Sequence, residues 1–232
     1  MSVIFAAEAA TRAAGAAVVR DGRLLAESYA DIGLTHSQTL MELSDEVFRR
    51  SGITPSEVDY FAVSSGPGSF TGLRIALGTI KGLAFAAGKP CVAVPTLEAV
   101  SFGARPCERV AVPVLDARRG RVYCAAFEIN NEPLRLLEDA VMTYTELGAA
   151  LEGKRVFFIG DAAEICYNEL NKTLDCVCAP PERALPRASW AAYAAAARIA
   201  KGQTCSAGEL AASYLQLSQA ERVLRERENK GE

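Results

Sequence analysis

Residues 65–74 read Ser65-Gly66-Pro67-Gly68-Ser69-Phe70-Thr71-Gly72-Leu73-Arg74. The compact apolar run Tyr60–Ser64 before them reads as a strand. Phe70–Ala87 after them reads as a long helix, with Ser69 as its N-cap and Gly88 as its stop. A strand that feeds a glycine loop into a helix N-terminus is how many α/β folds cradle phosphate. The loop is not a Walker A loop, because Leu73-Arg74 follows Gly72 where Lys and Ser or Thr belong. Nor is it G-x-G-x-x-G, since the third glycine falls one residue late. Two readings therefore stand: a phosphate seat, or a structural turn from strand to helix.

The surroundings extend this unit into a pattern. Val3–Ala7, Gly15–Val19 and Leu24–Tyr29 read as a β-meander, and Asp21-Gly22 supplies the positive φ of a type I′ turn. His36–Arg50 reads as a helix with Leu40, Leu43 and Val47 at i, i+3, i+7 and Gly52 at its C-cap. Cys91–Val94 is a further strand, so the order is β-β-β-α-β-α-β. The second half repeats it in outline. Val110–Leu115 and Val122–Glu128 read as strands around an Arg118-Arg119-Gly120 turn, and Asn130–Pro133 as another turn. Thr145–Leu151 reads as a short helix, Val156–Ile159 as a buried strand before Gly160-Asp161, and Trp190–Ala200 as an Ala-rich helix. The charged tail from Glu221 reads as a solvated, fraying helix end.

The helix behind the loop carries glycines inside it, each costing ~1 kcal/mol against alanine. Gly72, Ala76 and Thr79 form one stripe of small residues, and Gly78, Gly82 and Ala86 a second one rotated around the axis. Such stripes let another helix approach closely. One can pack on the chain's own sheet. The other needs a second neighbour, from this chain or from another.

The 232 residues suffice for one large domain or two small ones, and 50% apolar with 23% charged is an ordinary soluble balance. With a net charge of -3, any nucleic-acid contact is expected to come mostly from a partner. Read by composition, no apolar run reaches the ~18 residues of a membrane span, and the N-terminus lacks a basic signal region, so the expected location is cytoplasmic. Seven cysteines are scattered, and Cys176-Val177-Cys178 has no second pair, so reduced, buried thiols are expected. His36 is the single histidine, which excludes a two-histidine metal site. It reads as a cap or surface residue, or else as the histidine of a catalytic site beside Ser37. Asp116-Ala117-Arg118-Arg119 reads either as a phosphate or RNA-backbone contact or as a solvated turn.

Four segments together resemble one family: Thr35-His36-Ser37-Gln38-Thr39-Leu40, the 65–74 loop, Asp116–Tyr123, and Tyr214-Leu215-Gln216-Leu217-Ser218-Gln219-Ala220-Glu221-Arg222. In this order and spacing they look like the bacterial TsaB (YeaZ) proteins, over nearly the whole chain. The resemblance implies the actin-like ATPase (sugar kinase/heat-shock ATPase) fold, α/β with two lobes of mixed sheets and flanking helices. It implies a non-catalytic scaffold that pairs with a larger homologue, TsaD, which holds the metal and the catalytic site. With the ATPase TsaE they transfer a threonylcarbamoyl group to the tRNA adenosine beside the anticodon. This chain would then meet tRNA only indirectly, form a homodimer when alone, hold no cofactor by itself, and leave ATP or ADP to the interface of the complex. The implied docking helices match Ser37–Arg50 and Phe70–Ala87. The expected partner face is His36, Leu40, Ser69, Phe70, Gly72, Leu73, Ala76, Gly78, Thr79 and Gly82.

The sequence also departs from that family. Its first strand usually ends in Asp-Thr-Ser, and here Glu8-Ala9-Ala10 stands instead, without the hydroxyls that face a phosphate. Gln216 replaces an expected arginine. Gly103-Ala104-Arg105-Pro106 is the expected boundary between an N-terminal lobe (1–103) and a smaller lobe (104–207), with 208–232 packing back on the first. The competing functions are a nucleotide-binding, kinase-like enzyme of the same fold and, more remotely, a peptidase-like hydrolase.

Overall fold

The structure is a computed structural model and describes residues 2–130 and 132–215. Among these residues the chain forms two five-stranded sheets. The first is built from β1 (Val3–Glu8), β2 (Ala14–Arg20), β3 (Arg23–Ala30), β4 (Tyr60–Gly66) and β5 (Cys91–Pro95), with helices α1 (His36–Ser51), α2 (Phe70–Ala87) and α3 (Thr96–Phe102). The second comprises β6 (Val110–Asp116), β7 (Arg121–Ile129), β8 (Pro133–Thr143), β9 (Arg155–Ile159) and β10 (Asp175–Cys178), with α4 (Tyr144–Ala150) and α5 (Ala163–Leu170), and α6 (Ala188–Ala200) follows them in the chain. The strand orders are β3-β2-β1-β4-β5 and β10-β9-β6-β7-β8. Read from their hairpin edges, the two sheets have the same topology. In each, the first three strands pair antiparallel and the last two add parallel to the first.

The central strand β1 is buried on both faces, which is why it reads as a continuous apolar run rather than an alternation. Val3, Phe5 and Ala7 face the layer of α1 and α2, where they meet Leu40, Val47 and Ile80. Ile4 and Ala6 face the opposite layer, against Ala191, Ala192, Ala194 and Ala195 of α6. In the second sheet one face packs Val112, Val114, Val122 and Cys124 against Leu147 and Cys166 of α4 and α5. The other packs Leu115, Ala125 and Phe127 against Leu97 of α3. Burial pushes the Cys124 and Cys166 thiols up to about 12, which keeps them protonated. All seven cysteines are free.

The expected helix limits in the first half hold closely. Ser69 Oγ accepts a hydrogen bond from Gly72 N at 3.2 Å, and Gly52 and Gly88 end α1 and α2 in the left-handed conformation. Asp21 (φ 51°) and Gly22 (φ 77°) make the expected hairpin turn. Four elements have no counterpart in the sequence reading: α3, β8, α5 and β10. Almost every residue of α3 is buried, so it carries no amphipathic period.

The expected extent of the second lobe, 104–207, is corrected at its end. Helix α6 packs on β1, β2, β4 and β5. Cys205 then exchanges both backbone hydrogen bonds with Cys91, and Leu210 is buried in the first core. The chain thus returns to the first sheet from 188 onward, because the polyalanine face of α6 fits closely against the far side of that sheet. The run-length argument on membranes is corrected too. Helix α2 is long and apolar enough to cross a membrane by length and composition, although a third of that stretch is buried here against β4. Gln216 and the charged tail from Glu221 lie outside the described residues.

Candidate functional site

The glycine loop sits where β4 ends and α2 begins, and its glycines mark close backbone approaches. A Cβ on Gly66 would come closer than 3.0 Å to the Ser213 carbonyl, one on Gly68 to the Ala10 carbonyl, and one on Gly72 to the Ala9 carbonyl. The loop therefore lies directly on the β1–β2 turn and under the returning chain. Ser69 N donates to Ala10 O at 2.6 Å, and Ser213 N donates to Ser65 O at 2.7 Å. The Ser69 amide at the N-cap and the Gly72 amide, two donors an incoming phosphate would need, are thus engaged by the chain's own oxygens.

Glu8 ends β1 inside this packing and is 1% exposed. Its carboxyl accepts from Ala10 N at 2.6 Å and from the Ser64 hydroxyl. Desolvation outweighs these bonds and raises it to about 7.

Beside the loop, a cleft of about 590 Å³ opens between the lobes. Pro67, Gly68, Ser69 and Phe70 form one wall, and Asp116, Arg118, Tyr123 and Asp161 the other. Asp161 Oδ1 accepts from Asp116 N at 2.9 Å. Burial, then the neighbouring Asp116 charge, raises the Asp161 carboxyl above its ordinary range. Asp116 accepts from Arg118 N at 2.7 Å and pairs with its guanidinium at 3.1 Å. His36 sits at the first turn of α1 with Nε2 2.8 Å from Thr11 O, so its ring ties α1 to the β1–β2 turn. Among the described residues no group of three or more His, Cys, Asp or Glu is placed to hold a metal ion.

The ten residues expected on the partner face fall into three groups. Leu40, Gly72, Leu73 and Ala76 are buried inside the first lobe, and the expectation that they meet a partner is corrected: their side of each helix is already occupied by the sheet. His36, Ser69 and Phe70 line the cleft. Gly78 and Gly82 are exposed on the outer side of α2, with nothing within 4 Å of a Cβ built on either, and Thr79 is half-buried between the two sides. Phe85, 84% exposed, lies on that outer side, where the sequence reading missed it. A phenylalanine one position off the glycine stripe was the available signal.

The sequence profile described as "TsaD: tRNA N6-adenosine threonylcarbamoyltransferase" matches residues 31–222. The chain belongs to this family, on its TsaB (YeaZ) side. It is 30% identical to the tRNA threonylcarbamoyladenosine biosynthesis protein TsaB of Bacillus subtilis over 138 residues, 60% of this chain and 59% of that one. The match thus spans less than two thirds of that relative's length. The solved structure of YeaZ from Pseudomonas aeruginosa superposes with a TM-score of 0.77 at 27% identity, covering 93% of this chain and all of that one. A ROK hexokinase from Thermus thermophilus, at 12% identity and a TM-score of 0.50 over 86% of this chain and all of that one, shares the fold alone. The fold is the actin-like ATPase fold.

That fold implies a nucleotide and its metal, and the residues of this TsaB-like chain do not fit them. Ala9 and Ala10 carry no hydroxyl, and their carbonyl oxygens press into the glycine loop where a phosphate would need donors. The Glu8 carboxyl is turned into the core, away from the cleft. The structural-turn reading of the loop is the one these contacts support.

Proposed function

We propose that this chain is a non-catalytic subunit that docks through the outer side of α2 onto a larger protein of the TsaD family and serves threonylcarbamoyladenosine synthesis in tRNA. The observation that carries the reading is the open row on α2. Gly78 and Gly82 have no neighbour within 4 Å of an added Cβ, and Phe85 beside them is 84% exposed. A bare glycine row lets a second helix approach closely, and an exposed phenylalanine supplies apolar area to bury. The names of the relatives supply the pathway.

In this reading the chain acts by binding one arrangement of its TsaD partner more tightly than another, since only a differential affinity can shift that partner's equilibrium. TsaE is the further partner, and the same α2 face pairs two copies when the chain is alone.

Size-exclusion chromatography with light scattering tests this on the chain alone and mixed with a TsaD homologue. A stable mixed complex, lost on Gly78→Arg while the variant stays folded, is the expected result. Gly78→Arg still co-eluting with the partner would reject the α2 face. ATP turnover by the isolated chain, without a complex, would put the kinase-like reading in its place.

A further inference from the structure

The hairpin between β6 and β7 places two arginines in a conformation that arginine rarely adopts. Arg118 (φ 67°), Arg119 (φ 57°) and Gly120 (φ 69°) are three successive left-handed residues. Among the described non-glycine residues only Asp21 shares a positive φ, and there an Asp-Gly hairpin explains it. Arginine has no short polar side chain to offset the left-handed cost by local hydrogen bonding. The turn is nevertheless held firmly. Arg118 N donates to Asp116 Oδ1, Ala117 N to Arg121 O at 3.0 Å, and Arg121 N to Arg118 O at 3.3 Å.

The result is an arginine, Arg118, at the lining of the cleft with a second exposed arginine, Arg119, next to it in the turn. The Arg118 side chain is 87% exposed even while paired to Asp116. Arg119 is exposed, and no ion pair among the described residues engages it. Across the mouth stand Arg12, 69% exposed and paired with Asp31, and the ring pair Phe70–Tyr214 with centroids 5.0 Å apart. Arg74 lies 3.8 Å over the Phe70 ring. Exposed arginine forks match RNA, whose phosphates take planar, bidentate donors. In the glycine loop the Ser69 and Gly72 amides are already engaged, by Ala10 O and Ser69 Oγ.

We propose that the Arg118-Arg119 tip contacts the phosphate backbone of tRNA directly when the chain is docked. This rests on the functional reading above and deepens it, since the family resemblance implies only indirect contact with tRNA. The contact positions the RNA without reading its sequence.

The test is a titration of fluorescently labelled tRNA carrying an unmodified adenosine beside the anticodon into the complex of this chain with its TsaD homologue, repeated across salt concentrations. Arg119→Gly removes the charge and suits the left-handed backbone, so it stays folded. Its affinity should fall roughly threefold to tenfold near 0.1 M salt, and the slope of log affinity against log salt should shrink by about 1. Arg119→Lys should keep most of that slope. An Arg119→Gly complex that assembles normally and binds tRNA with unchanged affinity and slope overturns the inference. So does a variant that loses its protein partner instead, which would make the tip an anchor for an acidic protein segment. A drop in ATP binding with no change for tRNA assigns the phosphate to a free nucleotide and also overturns it. If the unaltered chain forms no complex, the docking reading falls separately. The same titration on the chain alone then decides, and equal salt slopes for both proteins reject the contact.

Discussion

The two lobes are drawn to one plan and finished differently at the same place. Each has three antiparallel strands, then two strands added parallel through helices. In each the first strand ends in an acid whose carboxylate accepts the amide two residues on: Ala10 N to Glu8, Arg118 N to Asp116. The fourth strand of one ends in a glycine and that of the other is followed by one, at nearly the same φ, 124° at Gly66 and 122° at Gly160, where a Cβ would strike a backbone carbonyl. Yet Glu8 is sunk in the core behind Ala9 and Ala10, while Asp116 stands open beside two arginines. The helices differ as well. Helices α1 and α2 run 16 and 18 residues, α4 and α5 only 7 and 8. One lobe has closed its strand end and has the longer helices, α2 carrying the proposed docking face. The other has kept its strand end exposed. Shared topology therefore sets where the acids and glycines fall, and the residues of the turn decide whether the place faces solvent or core.

The largest expected effect separates the two sides of α2. Ala76→Arg puts a cation where exposure is 0%, and it should abolish cooperative unfolding altogether, as circular dichroism with denaturant would show. Gly78→Arg, two residues on and on the outer side, should leave the unfolding midpoint nearly unchanged. Next, Gly72→Ala drives a Cβ into the Ala9 carbonyl and should cost on the order of 4 kcal/mol by urea titration, although alanine favours helices elsewhere.

The third test compares the strand-end acids through pH. In the folded chain Glu8 holds its proton to about 7, whereas unfolded it ionises near its ordinary 4.5. The folded state therefore binds more protons between those values, and stability should fall as pH rises through that window and level off above it. The fall attributable to Glu8 is roughly 3 kcal/mol. Glu8→Gln should flatten that part of the profile and leave the protein more stable above pH 7, and a profile unchanged from wild type would refute the buried-acid account. Smallest, Gly120→Ala meets no atom within 4 Å but keeps a positive φ of 69°, and it should cost about 1 kcal/mol.

Much of the first lobe was legible because its signals are local. Ser69, Gly52 and Gly88 act through backbone hydrogen bonds within a turn of their own position, and Asp21-Gly22 through its own φ values. The second lobe was less legible. Strand β8 and helix α5 carried no signal that was read, and β10 is a four-residue strand whose Cys-Val-Cys resembled an isolated ligand pair until its pairing with β9 was known. The proposed docking surface was half legible. Two stripes of small residues were visible along residues 70–87, but nothing in their spacing says which one meets the sheet.

The sequence by itself determined the α/β class, the order of most elements, the family resemblance and the missing hydroxyls at Ala9 and Ala10, because these depend on residue type and short spacing. Only the tertiary structure decided that Gly78 and Gly82 face outward while Gly72 and Ala76 are spent on the sheet. It also decided that α6 returns to the first lobe and that the glycine loop is filled by backbone carbonyls. These outcomes rest on contacts between residues far apart in the chain, Gly72 with Ala9 and Gly66 with Ser213, and no local propensity encodes such a meeting.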